Sequence, residues 1–431
     1  MTSKAKVLVL GSGAREHALV WRLSQSSHVA EVICVPGNAG IAELARTVEM
    51  NIDDHASLVN FAKEEKVNLV VVGPEAPLVQ GIADVFSAHH IAVVGPSRAA
   101  AQLEGSKVYS KEFMRRHGIP TAAFQSFDDP QAAIAYLDSR NEGPVVVKAD
   151  GLAAGKGVYV ASTLSAAKEA VQEIMLARRF EQAGDRIVIE EKLDGQEVSF
   201  HVLSDGKSFV PLAAAQDHKT LLDGDNGPNT GGMGAYSPPP IVDAALEEQI
   251  LKQVIAPTLE GMRKEGAPFV GVLFVGLMIV EGQPQVLEYN VRFGDPETEV
   301  LMMRLKSDLY HLLRAVPEQG LSEQKLVWGA PAALSVVLAS EGYPRVYTKG
   351  RTISGLQAAE DSPQIKVFHA GTGKNNAEFV TAAGRVLAVS ASGESIDEAA
   401  KRAYDAIAKI DFEGKQFRRD IAYRARTHAV S

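Results

Sequence analysis

Short apolar runs alternate with amphipathic stretches of helical period over the first hundred residues. The apolar runs are KVLVLGSG, EVICVPGN, NLVVVGPE and IAVVGPS, and helices are predicted from Glu16, over 54–66 and between the third and fourth runs. This alternation is typical of a parallel, doubly wound sheet. Ligands of such sheets bind beyond the carboxyl ends of the strands. Those ends carry glycines interspersed with polar residues, at 11–13, 36–40, 73–75 and 95–97, so we expect a small-molecule site there.

The pattern changes along the rest of the chain, which indicates further structural units. Residues 105–192 contain a predicted helix, KVYSKEFMRRHG, and an antiparallel hairpin, PVVVKADGLAAGKGVYVA. Residues 193–328 alternate strands such as EVSFHVLSD and PQVLEYNVR with helices and one long irregular loop, and 329–431 read as a small α/β unit. We therefore predict an α/β and α+β multidomain fold with domains at 1–104, 105–192, 193–328 and 329–431.

Composition narrows the class of protein. A chain of 431 residues exceeds what one hydrophobic core usually supports, and its net charge of −9 disfavours binding to a phosphate backbone. The single Cys34 lies in an apolar run and fits a reducing compartment. The start of the chain has no signal-peptide pattern, and no apolar run approaches the roughly 20 residues of a membrane span. We expect a cytoplasmic protein without nucleic-acid or membrane partners.

The N-terminal GSGAREH segment only partly matches a dinucleotide fingerprint. Glu16 stands where that fingerprint has glycine or alanine, and no acidic residue follows at the end of the second strand. NAD is therefore disfavoured. A glycine turn that leads into a helix still suits a single phosphate, because its backbone N–H groups are free to bind an anion. A merely tight strand-to-helix turn is the alternative.

The loop DGLAAGKGV follows a predicted strand that ends near Lys148. Its glycines, Gly151, Gly155 and Gly157, allow backbone amides to approach polyphosphate oxygens. Lys148 would then contact phosphate from the strand, and Lys156 from a flap. Downstream, the segment from Glu190 to Glu197 has the form of a hinge that could recognise adenine through backbone groups.

The segment LEYNVR predicts a metal site. A strand period of two puts Glu288, Asn290 and Arg292 on one face. Magnesium needs only one or two protein oxygen ligands besides phosphate and water, and Glu288 and Asn290 supply them. The alternative is a strand face held by structural ion pairs.

The long loop from Ala213 to Pro238 is rich in glycine, aspartate and asparagine. Long irregular loops in compact domains are usually functional or disordered. Within it, Asp217, His218 and Lys219 offer an acid, a base and a cation in a row, although such a triplet is also common at solvated corners.

Taken in order, these segments resemble the ATP-grasp superfamily of carboxylate–amine ligases. Within it, GSGAREHAL, VVGPEAPL, KADGLAAGKGV, QDHK, DGDNGPNTGGMGAYSP, LEYNVRFGDPE, ASEGYP and VFHAGT resemble the phosphoribosylamine–glycine ligase family, from Val7 to Arg424. The resemblance implies ligation of glycine to 5-phosphoribosylamine with ATP and Mg²⁺ or Mn²⁺, through a glycyl phosphate, in purine biosynthesis. It also implies a monomer, a Rossmann-like substrate domain at 1–104, an ATP-grasp lid at 105–192 and an ATP-grasp large subdomain at 193–328.

The resemblance further implies a role for individual residues. The ATP-binding residues would be Lys107, Lys148, Gly155, Lys156, Gly157, Glu190, Glu191, Leu193 and Glu197, with Glu197 on the ribose. The substrate-binding residues would be Gly11, Gly13, Arg15, Glu16, Asn38, Glu75, Asn229, Thr230, Gly231, Gly232, Met233 and Gly234. Asp217, Lys219 and Arg292 would be catalytic, and Glu288 and Asn290 would bind the metal. Two departures stand out, Thr220 where the family often has arginine and TAAGR at 381–385 where TxGGR is usual.

Three alternatives remain at this point. Another ATP-grasp ligase or a carboxylase would act on a different acid. An NAD-dependent oxidoreductase would have to tolerate Glu16 in the glycine turn. A nucleotide-binding sensor would bind ATP without turnover. The presence of both metal-binding and phosphate-binding candidate residues counts against it.

Overall fold

The computed structural model describes residues 4–153 and 156–428. Its first unit consists of β1 (Ala5–Gly11), α1 (Ala14–Ser24), β2 (Val29–Pro36), β3 (Arg46–Thr47), α2 (His55–Glu64), β4 (Leu69–Val72), α3 (Glu75–Gln80), α4 (Ile82–Ala88), β5 (Val93–Val94) and α5 (Gln102–Gly105). The strands pair in parallel in the order β3-β2-β1-β4-β5. Side chains of β1 enter two different hydrophobic cores. Leu8 and Leu10 belong to one core, and Val7 and Val9 belong to the other. Burial of both faces explains the continuous apolar runs, and the predicted doubly wound sheet is confirmed.

The second unit is a small antiparallel sheet with flanking helices. It contains α6 (Lys107–Arg116), β6 (Phe124–Phe127), α7 (Pro130–Ser139), β7 (Val145–Ala149), β8 (Val158–Ala161), α8 (Leu164–Val171) and β9 (Ile187–Glu191). Its strand order is β6-β9-β7-β8. Strands β7 and β8 pair antiparallel, as expected for the hairpin around the glycine loop.

The segment predicted as a long irregular loop contains short strands. Residues 196–237 form β10 (Gln196–Asp205), β11 (Phe209–Pro211), β12 (Gln216–Asp217), β13 (Thr220–Leu222), β14 (Asn226–Asn229) and β15 (Gly234–Ser237). Strands β13 and β14 form a separate hairpin, and β12 pairs with β15. The expectation of little regular structure from Ala213 to Pro238 was wrong, because β12 to β15 lie within that loop; these four strands are two to four residues long, too short for a detectable period.

A third antiparallel sheet carries the predicted metal residues. The next elements are α9 (Ala244–Ile250), α10 (Ala256–Lys264), β16 (Val270–Val280), β17 (Gln283–Asn290), α11 (Glu297–Arg304) and α12 (Leu309–Ala315). The sheet order is β11-β10-β16-β17. Leu273, Val275 and Leu277 of β16 share one core with Leu8 and Leu10 of the first sheet, so the two units pack directly on each other.

The last unit contains β18 (Ala332–Ser340), α13 (Leu356–Ala359), β19 (Ile365–His369), β20 (Thr372–Asn375), β21 (Glu378–Thr381), β22 (Arg385–Gly393), α14 (Ile396–Ile407), β23 (Lys415–Gln416) and α15 (Tyr423–His428). Its main sheet runs β12-β15-β18-β22-β19, with β23 on β18. Two of its strands thus come from upstream of residue 329. The four domain limits stay predictions. No helix in the described part of the chain is long and apolar enough to cross a membrane.

Candidate active site

Glu288 and Asn290 lie at the end of β17, on one face of the sheet. Glu288 pairs with Gly276 and Asn290 with Phe274, two residues apart on the neighbouring strand β16. Asn290 is only 7% exposed, and its Nδ2 has no hydrogen-bond partner among the described residues. Since buried amides are normally hydrogen-bonded, this side chain fits a position that a ligand completes. A carboxylate and an amide oxygen together suit a hard divalent cation.

Cations surround Glu288. Burial raises the pKa of its carboxyl, but the charges of Lys219, Lys107, Lys148 and Arg292 outweigh burial and lower the pKa below its ordinary value. Glu288 is therefore an anion at neutral pH. Four cations around one carboxylate form a field that suits a polyphosphate together with its metal.

Lys148 and Lys111 share one buried carboxylate. Both ammonium groups form ion pairs with Glu190, which is 3% exposed, and Lys148 Nζ also donates to the Leu287 carbonyl at 3.2 Å. Burial lowers the pKa of Lys111 to about 8 against the raising effect of Glu190. The Glu190 carboxylate thus balances the charge of Lys148. Its expected role in binding ATP stays a prediction.

The start of the glycine loop is tied to the N-terminus of α6, where Lys107 lies. Asp150 Oδ1 accepts from the Ser106 hydroxyl and from the Val108 amide, both at 2.7 Å, and the Lys107 amide donates to the Asp150 carbonyl at 2.8 Å. Arg186 donates to the other carboxylate oxygen at 2.6 Å. These bonds fix the position of Lys107 relative to the first residues of the glycine loop.

Within the loop, Gly157 has no room for a side chain, because a Cβ there would lie 2.7 Å from the Cβ of Ala153. Lys156 is exposed, and Gly155 lies outside the described residues. Glu191, the last residue of β9, is exposed, and Leu193, two residues further on, is half-buried.

Asp217, Lys219 and Glu197 face the same region. Lys219 forms an ion pair with Glu197. Burial raises the pKa of Asp217 to about 7, with Glu297, Glu197 and Glu288 adding to it and Lys219 opposing it. A carboxyl that changes charge near neutral pH is suited to exchange protons during catalysis.

His218 belongs to the opposite side of the strand. Its Nε2 accepts from the Ala422 amide at 3.3 Å, and its ring packs between Tyr236 and Tyr423. Burial lowers the pKa of His218 to about 3. The acid, base and cation in a row are therefore separated by strand alternation, which leaves Asp217 and Lys219 as the candidate pair.

The loop from Asn229 to Gly234 folds back on the Asp217–Lys219 segment. The amide and hydroxyl of Thr230 donate to the Lys219 carbonyl at 2.7 and 2.8 Å, and the Met233 amide donates to the His218 carbonyl at 2.8 Å. Gly232 has φ +109°, and a Cβ there would lie 2.5 Å from Pro296 Cδ. Arg385 donates to the Gly231 carbonyl at 2.7 Å and pairs with Asp295 at 3.0 Å. The predicted substrate loop is thus rigidly placed beside the candidate catalytic residues, and Asn229 at its start is exposed.

Arg292 joins this region to the ends of the N-terminal strands. Its Nε lies 3.2 Å from a carboxylate oxygen of Glu75, and its Nη2 lies 3.1 Å from one of Glu104. Arg292 Nη1 and Arg15 Nη1 both donate to the Phe293 carbonyl, at 3.3 and 3.2 Å. The structure therefore brings Arg15, Glu75 and Arg292 together, as a shared substrate site requires.

The remaining N-terminal residues are engaged in the structure of the turn. Glu16 accepts from the Gly13 amide and from Arg15 Nε, both at 2.6 Å, and fills the space beside Gly11, whose φ is +126°. Asn38 Nδ2 donates to the carbonyls of Ser12 and His369, both at 2.7 Å. A phosphate at Gly13 would have to replace a carboxylate, so the substrate contacts of this turn stay predictions.

Comparison with known proteins shows the family. Three models of phosphoribosylglycinamide synthetase match the chain, the N domain over residues 5–104, the ATP-grasp (A) domain over 105–298 and the C domain over 333–424. The chain belongs to the phosphoribosylglycinamide synthetase family. It is 52% identical over 421 residues to the phosphoribosylamine–glycine ligase of Rhizobium meliloti, with 97% of this chain and 98% of that protein covered.

Solved structures agree with this family. The phosphoribosylamine–glycine ligase of Thermotoga maritima matches with a TM-score of 0.82 and 34% identity, over 97% of this chain and all of the other. A second match is the biotin carboxylase domain of the Hydrogenobacter thermophilus 2-oxoglutarate carboxylase, which was solved with Mg-ADP and bicarbonate. Its TM-score is 0.74 at 16% identity, and the match covers 97% of this chain and 92% of the other. The second likeness shows the fold alone. The predicted resemblance, the ligase class and the multidomain fold are confirmed, and residues 105–298 form an ATP-grasp domain.

Several residues at the synthetase site were absent from the sequence prediction. They are Glu104, Lys111, Asp150, Ser199 and Arg385. Lys111 lies one helical turn after Lys107, so the helix period was an available signal for it. The others reach the site from distant segments. Ser199, for example, donates to the buried Glu297 at 2.8 Å across 98 residues, and no local pattern marks such a contact.

Proposed function

We propose that this synthetase joins glycine to 5-phosphoribosylamine with ATP, giving glycinamide ribonucleotide, ADP and phosphate in purine biosynthesis. The proposal rests on the relatives named for this ligase, which the chain matches over nearly its whole length. The observation that carries it is the anionic Glu288 held among Lys107, Lys148, Lys219 and Arg292, beside an Asn290 side-chain nitrogen that has no hydrogen-bond partner in the described part of the chain. Such a site binds a nucleotide polyphosphate and activates an acid next to it.

The chemistry begins with the glycine carboxylate, a poor electrophile. A carboxylate oxygen attacks the γ-phosphorus of ATP, and ADP leaves. The amine nitrogen of phosphoribosylamine then attacks the carbonyl carbon of glycyl phosphate, phosphate leaves with the carboxylate oxygen, and the nitrogen gives up a proton. A divalent cation at Glu288 and Asn290, which we propose to be Mg²⁺ with Mn²⁺ as a substitute, would offset repulsion between the reacting anions.

The charged side chains divide these tasks. Lys107 and Lys148 hold phosphate oxygens, and when ATP draws Lys148 away, Lys111 continues to balance Glu190. Arg292 orients a carboxylate or phosphate with its planar fork. Backbone groups at Glu191 and Leu193 bind adenine, and Glu197 accepts from the ribose. The 229–234 loop and Lys219 surround glycine and the amine, and the N-terminal glycine loops reach the phosphate end of phosphoribosylamine.

Asp217 accepts the proton that leaves the amine. Its pKa near 7 predicts that kcat/KM for phosphoribosylamine rises with pH through about 7, because only the ionised carboxyl takes a proton. Asp217→Asn is expected to lower kcat by about 10²- to 10⁴-fold and to abolish that rise. A pH series on both proteins measures this. An Asp217→Asn protein with the wild-type profile would exclude Asp217 as the proton acceptor.

The assignment of substrates is tested by ADP formation. ATP, Mg²⁺ and glycine are supplied with and without phosphoribosylamine generated in place from phosphoribosyl pyrophosphate and ammonia. Full turnover is expected only with both substrates. Turnover with another acid in place of glycine would instead favour a different carboxylate–amine ligase on the same fold.

We also propose a cytoplasmic monomer, which rests on the family resemblance and on the composition.

A further inference from the structure

A cluster of metal-binding side chains lies apart from the active site. His28, Asp308 and His311 each offer a ligand atom, and these atoms all lie within 4.8 Å of one another. His28 directly precedes β2, Asp308 caps α12, and His311 lies in the first turn of that helix. It is the one such group of three that the described residues contain.

The cluster is held in place by one hydroxyl. Ser26 Oγ donates to Asp308 Oδ2 at 2.7 Å and accepts from the His28 amide at 3.2 Å. The other carboxylate oxygen accepts from the His311 amide at 3.3 Å. Ser26 is itself buried. The backbone of His311 is thus bonded to this carboxylate directly, and that of His28 through the Ser26 hydroxyl, before any ion binds, which lowers the entropic cost of binding.

The two imidazole rings are in contact. Their centroids lie 4.2 Å apart at an interplanar angle of 62°, and both histidines are exposed at the surface, so rotation about their side-chain bonds can bring two nitrogens to one ion. His117, elsewhere on the chain, shows the ordinary alternative, because its Nε2 contacts Glu265, which also forms an ion pair with Arg116. The His28 and His311 rings have no such competing partner among the hydrogen bonds and ion pairs of the described residues.

We propose that His28, Asp308 and His311 bind one Zn²⁺ ion. Two imidazoles and one carboxylate, with a fourth position left to water, form a usual donor set for zinc, whereas Mg²⁺ prefers oxygen ligands alone. The ion would join the turn between α1 and β2 to α12, and so connect the first sheet to the helix that follows the ATP-grasp strands. The site shares no residue with the proposed catalytic site, and it stands whether or not the proposed function holds.

Zinc binding to the full-length protein tests this proposal. Equilibrium dialysis with Zn²⁺ is carried out in excess Mg²⁺, which occupies the oxygen-donor site at Glu288. One equivalent of zinc is expected per chain. His28→Gln and His311→Gln should each weaken binding at least about tenfold, and Ser26→Ala by about 10- to 100-fold through loss of the hydrogen bond from its hydroxyl that orients Asp308.

Matched controls separate this site from others. His89→Gln and His90→Gln change two exposed histidines elsewhere on the surface and should leave zinc binding unchanged, as should Glu288→Gln. Melting temperatures without zinc confirm that each variant is folded. Absence of a stoichiometric zinc ion, or an equal affinity in the His311→Gln and wild-type proteins, would overturn the proposal.

Discussion

Glu288→Gln is expected to raise the concentration of divalent cation needed for half-maximal activity by about 10- to 100-fold, with a much smaller change in the KM for glycine. Glutamine keeps the size of the side chain and removes the charge that the surrounding lysines and Arg292 stabilise. The loss therefore falls on the cation and not on the acid substrate. Activity across a Mg²⁺ series at saturating glycine gives the half-maximal cation concentration. Activity across a glycine series at saturating Mg²⁺ gives the KM for glycine.

The control for this variant is Glu281→Gln, which removes an exposed carboxylate from the turn between β16 and β17. It should leave both constants unchanged. Equal weakening of Mg²⁺ and glycine in Glu288→Gln would argue against metal ligation by this residue.

Arg292→Lys is expected to lower kcat/KM by roughly 100-fold or more although it keeps the positive charge. Three nitrogens of the guanidinium contact Glu75, Glu104 and the Phe293 carbonyl, and one ammonium cannot replace this arrangement. Each hydrogen bond to a charged group contributes about 1.5–3 kcal/mol, and about 1.4 kcal/mol corresponds to a factor of ten. Steady-state kinetics at saturating Mg²⁺ measure the effect.

Arg263→Lys provides the comparison, because Arg263 forms an exposed ion pair with Glu260 that should contribute little. The melting temperature of Arg292→Lys shows whether the variant keeps the stability of the wild-type protein. A folded Arg292→Lys protein with wild-type kcat/KM would remove Arg292 from the mechanism.

The sequence predicted those parts of the fold that have a local pattern. The N-terminal sheet was predictable because its strands are apolar on both faces, and Glu288 and Asn290 because a strand period of two places them together. Strands β12 to β15 were not, since β15 pairs with β18 about a hundred residues away and no short window records that pairing.

The site was predicted less completely than the fold, for the same reason. Lys148 was recognised next to its glycine loop, but its partner Glu190 was interpreted as part of the adenine hinge. Only the packed structure shows that this carboxylate is buried between Lys148 and Lys111. Glu104 likewise contacts Arg292 from a helix that precedes the ATP-grasp strands, and the amino-acid pattern around it gives no sign of that contact.

The fate of the glycine carboxylate oxygens tests activation of glycine at this site most directly. Glycine labelled with ¹⁸O in its carboxylate is converted with ATP, Mg²⁺ and phosphoribosylamine, and the released phosphate is analysed by mass spectrometry. Activation through glycyl phosphate predicts one ¹⁸O atom in each phosphate, because an oxygen of glycine becomes the bridge of glycyl phosphate and leaves with phosphorus. Phosphate without the label, in the presence of full ligation, would contradict activation of glycine through an acyl phosphate at this site.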